Sequence, residues 1–194
     1  MREFKSVEDK ILDKALYLIG QNRTLDVSVR AIAKEANVNV SAINYYFRSK
    51  EEMLRQVKQF FLTNTLTILS IIDNDEYNDE EKLILAANEI MEYILRFPGV
   101  TVIIRDALSQ IENDELSLNI VNSTNEMHGK LEKILCKLTE NNKISSKHKM
   151  SIFMASIIHP LENNDIMEFT KGIADTKEER IEYIKNIIKA LSFA

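Results

Sequence analysis

One short segment, residues 40 to 47, carries the side chains best suited to recognition chemistry. At helical spacing Ile43 and Phe47 share the inward face of this segment. The opposite face carries Val40 together with the polar and aromatic residues Ser41, Asn44 and Tyr45. A helix with such a face can place its first residues in a DNA major groove.

Two short helices around a tight turn are predicted to hold this face, in the order of a helix-turn-helix. Ser28 can cap the first helix. Apolar residues recur on the inward side of that helix: Val29, Ile32, Ala33 and Ala36. Asn37 lies where the chain must turn sharply, and asparagine tolerates the left-handed backbone conformation better than most residues. Asn39 then caps the second helix.

The charge of the chain is unevenly distributed. The net charge is −5, yet residues 1–50 hold nine Lys/Arg and six Asp/Glu, a net of +3, which leaves −8 for the other 144 residues. Binding to phosphate needs a local cationic face rather than a basic protein. The basic end coincides with the helix-turn-helix, and Arg2 and Lys5 are candidate contacts from the N-terminal arm.

Composition favours an all-α protein. Of 194 residues 45% are hydrophobic, and only four Gly and two Pro interrupt the chain. The single cysteine, Cys136, excludes an intramolecular disulfide, as expected in a reducing cytosol. The sequence has no apolar segment long enough to suggest membrane insertion and no N-terminal segment that suggests secretion. A cytoplasmic location is therefore expected.

The helical pattern divides the chain into a head and a body. Ser49 and Glu52 form an S-x-x-E capping box, which predicts a helix from Lys50 to about Ile72. We therefore expect a helix-turn-helix domain at residues 1–50 and a helical body at residues 51–194. Helices of the body can enclose a cavity.

Residues 31–54, AIAKEANVNVSAINYYFRSKEEML, resemble the helix-turn-helix of the tetracycline-repressor (TetR) family. The matching positions follow the family pattern: Ile32-Ala33, Asn37-Val38-Asn39, Ile43, Tyr46, Phe47 and Lys50. Asn37 replaces the usual turn glycine, and Asn44 replaces a frequent tyrosine.

The resemblance implies a ligand-responsive repressor that binds a palindromic operator as a homodimer and is released by a small molecule in the body. It implies base contacts by Val40, Ser41 and Tyr45. Phosphate contacts are implied for five further residues: Ser28, Arg30, Asn44, Tyr46 and Lys50. Lys50 lies in the first turn of a helix, where a cation is unfavourable for the helix dipole, so a bound phosphate would explain it.

The body supplies two further sets of candidates. For a small-molecule effector we expect Tyr93, Phe97, Ile104, Met127, His128 and Leu131, because His128 flanks an apolar stripe near aromatic residues. Two apolar helices are interpreted as the dimer interface, with Phe153, Met154, Ile157, Ile181, Ile184, Ile188 and Leu191.

Other functional classes have less support in the sequence. The three histidines are scattered, and no metal site or cofactor is expected. No nucleophile-base pair, glycine-rich phosphate loop or convergent carboxylate pair indicates an enzyme. The alternative is a helical adaptor that uses the helix-turn-helix as a protein-docking surface.

Overall fold

The structure is a computed structural model that describes residues 6–98, 100–140, 144–163 and 167–193. Across these ranges the chain forms nine α-helices, a 3₁₀ turn at Glu168–Thr170 and no strand. The helices, numbered in chain order, are α1 Val7–Asn22, α2 Val29–Glu35, α3 Val40–Phe47, α4 Lys50–Ile72, α5 Asp79–Arg96, α6 Val100–Gln110, α7 Glu115–Leu138, α8 Ser146–Glu162 and α9 Lys177–Phe193. The all-α prediction is confirmed, with an N-terminal three-helix head and a helical body.

Side-chain caps begin the helices of the head where the sequence predicts them. Ser28 Oγ accepts a hydrogen bond from the Ala31 amide at 3.1 Å, and Asn39 Oδ1 accepts one from the Ala42 amide at 2.7 Å. Ser49 Oγ accepts from the Glu52 amide at 3.1 Å and so begins α4. Each cap satisfies an amide that has no partner within its helix, which fixes where the helix starts.

The turn between α2 and α3 depends on Asn37. Its φ of 52° is left-handed, as predicted. The apolar residues on either side of the turn then face a common core: Ile32, Ala33, Ala36, Ile43 and Phe47 are all buried. Burial of a large apolar side chain stabilises the fold by about 1.5–3 kcal/mol, so this small core can hold α3 at a set angle.

The chain divides into two compact units. The first comprises the described residues of Met1–Asn64 and Arg96–Asn122, and the second those of Thr65–Leu95 and Ser123–Ala194. The first unit therefore contains α1–α3 together with α6. The division into functional domains at residue 50 stays a prediction.

Two contacts hold α1 against the residues that precede α6 in the first unit. Gly20 packs so closely on the Pro98 carbonyl that a side-chain carbon at position 20 would overlap it. Asp13, which is buried, forms an ion pair with Arg96. Burial raises the pKa of the Asp13 carboxyl, while the Arg96 guanidinium opposes that shift. This pairing offsets part of the cost of removing the carboxylate from water.

A second group of polar contacts connects α4 to α6 within the same unit. Lys58 Nζ lies 2.6 Å from a carboxylate oxygen of Asp106 and 3.3 Å from Ser117 Oγ. Asp114 accepts a hydrogen bond from the Ser117 amide at 3.0 Å, and its hydrogen bond with the Ser117 hydroxyl is the main cause of its lowered pKa. The first half of α4 is therefore joined to the unit that includes the head.

Buried arginine hydrogen bonds organise the second unit. Arg180 on α9 donates to Asn88 at 3.0 Å, to Glu92 at 2.6 Å and to the Ala174 carbonyl at 3.0 Å. Each of the three guanidinium nitrogens of Arg180 thus donates a hydrogen bond, which compensates the cost of burying the group. The arrangement fixes the start of α9 on α5.

Candidate nucleic-acid interface

The outward face of α3 forms the candidate interface, which we call the reading face: Val40, Ser41, Asn44 and Tyr45. All four are exposed, while Ile43 and Phe47 on the same helix are buried. Tyr45 is the most prominent of them, with 81% of its surface accessible. The Tyr45 ring is therefore accessible to another molecule, while the opposite side of its helix is fixed in a core.

Asn39 organises the first turn of α3 with a single oxygen atom. Besides the Ala42 amide, Asn39 Oδ1 accepts a hydrogen bond from the Ser41 hydroxyl at 2.8 Å. Ser41, for which the family resemblance implies a base contact, is therefore oriented by the cap of its own helix.

Tyr45 and Tyr46 form an edge-to-face pair. Their ring centroids are 5.2 Å apart and the ring planes meet at 84°. Tyr46 is 38% exposed and also contacts the Phe47 ring, with 6.3 Å between centroids. Because edge-to-face packing restricts a ring without burying it, Tyr46 limits the orientations that Tyr45 can adopt.

The residues assigned to phosphate contact lie near the reading face in sequence, and one of them, Asn44, belongs to it. Ser28, Arg30, Asn44 and Tyr46 are exposed. Lys50 differs, because its Nζ lies 2.7 Å from a carboxylate oxygen of Asp26. The Lys50 ammonium lowers the pKa of the Asp26 carboxyl through a hydrogen bond. A phosphate is therefore not needed to explain a cation at this helix start. Arg2 and Lys5 lie outside the described residues.

Sequence reasoning missed Arg48. This residue ends α3 in a backbone conformation with φ 62°, its amide donates to the Asn44 carbonyl at 3.0 Å, and it is exposed. The signal was available, since a cation directly follows the last apolar residue of the recognition helix. Arg48 adds an exposed positive group at the C-terminal end of α3, opposite the Asn39 cap.

The effector candidates are distributed over both units. Phe97 and Ile104 belong to the first unit, and Tyr93, Met127, His128 and Leu131 belong to the second. Phe97, Met127 and Leu131 are buried, whereas the other three are half-buried. Burial lowers the pKa of the His128 imidazole. Its neutral form, with one donor and one acceptor nitrogen, is thus favoured near neutral pH.

Most of the dimer candidates already pack inside a single chain. Phe153, Ile157 and Ile184 have no accessible surface, and Ile188 and Leu191 are also buried. Only Met154 and Ile181 of the predicted set keep part of their surface exposed. Most of the apolar positions on α9 are therefore covered by packing within the chain, and the dimer interface stays a prediction.

Two searches of the described residues gave negative results. None of the helices in those ranges is long and apolar enough to cross a membrane. The same residues contain no group of three or more His, Cys, Asp or Glu that could hold a metal ion.

Comparison with known proteins points to one family. Residues 11–57 match the sequence model described as "Bacterial regulatory proteins, tetR family". Over 90 residues the chain is 33% identical to the probable HTH-type transcriptional regulator YttP of Bacillus subtilis (strain 168), a match that covers 45% of this chain and 44% of YttP. The chain thus spans less than half the length of that relative.

Solved structures with the same fold cover nearly the whole chain. The hemolysin II transcriptional regulator HlyIIR aligns with a TM-score of 0.61 and 19% identity, over 96% of this chain and 97% of HlyIIR. A TetR-family transcriptional regulator from Bordetella parapertussis 12822 aligns with a TM-score of 0.66 and 13% identity, over 97% and 95% of the two chains. At these identities the likeness establishes the fold.

Proposed function

Because residues 11–57 match the sequence model of the TetR family, we propose that this chain is a DNA-binding transcriptional regulator of that family rather than an enzyme, and that it binds operator DNA through α3. The single observation that carries the proposal is the reading face, which is exposed while Ile43 and Phe47 fix the helix from behind. The first residues of such a helix contact base edges in the major groove.

Base contacts and phosphate contacts are made by different residues in this proposal. Val40, Ser41 and Tyr45 contact bases, where the valine and the tyrosine ring meet thymine methyl groups. The phosphate contacts come from Asn44 of the reading face and from residues near it: Ser28, Arg30, Tyr46, Arg48 and Lys50. For Lys50 the DNA phosphate takes the place of the Asp26 carboxylate, since both are oxyanions that a lysine ammonium can bind. Phosphate contacts position the protein, whereas base contacts specify the sequence.

The protein acts as a homodimer on a palindromic operator in this account. Members of the family act as dimers. A two-fold symmetric pair of recognition helices would enter major grooves about 34–36 Å apart. We assign the contact to the outward side of α8 and α9, because Tyr183 donates to the Ser156 carbonyl at 2.9 Å and so fixes these two helices together. Ile152, which is 44% exposed on α8, is the proposed centre of that surface.

Sedimentation of the purified protein at micromolar concentration tests the dimer. Wild type is expected to sediment as a dimer, and Ile152→Glu as a monomer, because a buried charge without a partner opposes association. Leu118→Glu, at an exposed apolar position on α7, is the matched control and should remain dimeric. A monomeric wild type would contradict the dimer.

A small molecule bound in the body is proposed to release the DNA, which makes the protein a repressor that responds to a ligand. Of the effector candidates, we propose that those in the second unit contact this molecule: Tyr93, Met127, His128 and Leu131. A neutral, half-buried His128 suits this role, because it can both donate and accept a hydrogen bond to an uncharged ligand. A cytoplasmic location belongs to the same proposal, because the protein would act on DNA there.

A gel-shift assay tests the proposed function. The probe is DNA from directly upstream of the protein's own gene, with excess random DNA as competitor at physiological salt. A shift that survives the competitor and weakens as salt rises supports sequence-selective DNA binding. If neither this probe nor a pool of randomised DNA is shifted above the level of random competitor, the proposal is wrong.

A further inference from the structure

We propose that Asn39 determines which bases Ser41 can read, so that α3 selects an amino base, adenine or cytosine, over a keto base at one operator position. The inference rests on the proposed function, because it concerns the same reading face. It goes further by naming the chemical class of base that one residue accepts.

The hydrogen bonds at the start of α3 carry this inference. Asn39 Oδ1 receives the Ala42 amide at 2.7 Å, and this contact fixes which end of the side-chain amide points toward the helix, since only oxygen can accept from N–H. The Ser41 hydroxyl donates to the same oxygen at 2.8 Å. Both side chains are exposed on the first turn of α3, so Ser41 Oγ remains open to a binding partner.

A serine hydroxyl has one proton to donate and two lone pairs that accept. With the proton directed to Asn39, Ser41 meets DNA as a hydrogen-bond acceptor only. In the major groove the hydrogen-bond donors are the N6 amino group of adenine and the N4 amino group of cytosine. Guanine and thymine present the acceptors O6 and O4 instead, so their oxygen would face a lone pair of Ser41.

A keto base could be accepted only if the Ser41 proton turned away from Asn39. That rotation would break the 2.8 Å hydrogen bond to Asn39. The new hydrogen bond to the base would only replace it, so the number of hydrogen bonds would not increase. An amino base requires no such exchange, since it adds a bond while the bond to Asn39 is kept. The preference for an amino base therefore follows from the cap of the helix.

Selection from randomised DNA followed by sequencing tests the inference in four proteins: wild type, Ser41→Ala, Asn39→Gly and Asn39→Asp. Ser41→Ala identifies the operator position that Ser41 reads, as the position whose preference is lost. At that position wild type should favour adenine or cytosine over guanine and thymine by about fivefold or more in affinity.

The two Asn39 variants separate orientation from capping. Asn39→Gly removes the acceptor oxygen but keeps a residue tolerated at a helix N-cap. The Ser41 hydroxyl is then free to donate its proton to a base, so keto bases should be bound as well. Asn39→Asp keeps an acceptor oxygen, so it should retain the amino preference with weaker overall binding, because its charge repels phosphate. Circular dichroism checks that both variants remain folded.

The outcomes distinguish this inference from the proposed function. If wild type enriches no sequence at all, DNA reading itself is wrong and the inference fails with it. If wild type enriches an operator but Ser41→Ala changes no position, Ser41 does not read a base. If the position favours guanine or thymine, or if folded Asn39→Gly keeps the amino preference, the role of Asn39 is refuted while DNA binding stands.

Discussion

Gly20 and Gly129 provide a matched pair of substitutions with opposite expected effects. Both lie within helices, Gly20 in α1 and Gly129 in α7, and neither has a positive φ. A methyl group at position 20 would overlap the Pro98 carbonyl, whereas nothing lies within 4 Å of the corresponding point at position 129. The same change to alanine therefore meets backbone in one case and open space in the other.

The magnitudes follow from two effects. Replacing a helical glycine with alanine stabilises a helix by up to about 1 kcal/mol. Overpacking costs about 1–3 kcal/mol, and position 20 belongs at the upper end because a backbone carbonyl cannot rotate away as a side chain can. Gly20→Ala should thus lose about 2 kcal/mol, while Gly129→Ala gains about 1 kcal/mol.

Thermal unfolding followed by far-ultraviolet circular dichroism measures both variants. For a chain of this size 1 kcal/mol shifts Tm by about 2–4 °C, so Tm should fall by about 4–8 °C for Gly20→Ala and rise by about 2–4 °C for Gly129→Ala. Protein concentration is held constant, because association makes Tm depend on concentration. If Gly20→Ala is as stable as Gly129→Ala, α1 does not pack on Pro98 as described.

Three further predictions concern single side chains. Tyr45→Ala should weaken operator binding in a gel shift while leaving stability within about 0.5 kcal/mol, because the ring is exposed; unchanged affinity would remove Tyr45 from the base contacts. Lys50→Ala should weaken binding to any DNA and lower the salt slope by about one, and an unaltered slope would exclude a phosphate contact by Lys50. His128 has a pKa lowered by burial, so the unfolded chain binds its proton first, and stability should fall as pH drops below about 6.5 toward the folded value. His128→Gln should lose less stability than wild type between about pH 7.5 and pH 5.5 in urea unfolding, with the exposed His148→Gln as control; an equal loss in His128→Gln would contradict the shift.

The parts of the fold that sequence predicts well depend on neighbouring residues. The caps by Ser28 and Asn39, and the left-handed turn at Asn37, each follow from the chemistry of one side chain and the amides within three residues of it. The buried positions Ile43 and Phe47 follow from helical periodicity. These local features account for the exposure of the reading face.

Contacts between distant residues were not predictable in the same way. The ion pair of Lys50 and Asp26 joins residues that are 24 positions apart in the sequence. The hydrogen bonds of Arg180 to Asn88 and Glu92 span 92 and 88 positions, respectively. An apolar stripe shows that a helix is covered but does not show what covers it. For that reason the stripe that includes Ile184 suggested a second copy of the chain, while its side chain is buried within one chain.

Hydroxyl-radical footprinting on the selected operator tests the central claim most directly, because it maps where α3 of each copy meets the backbone. The account predicts two protected blocks on one face of the duplex, about one helical turn apart, and loss of both blocks with Tyr45→Ala. If cleavage of the DNA is the same with and without the protein, α3 does not read DNA. That result would favour a protein-docking role for the helix-turn-helix.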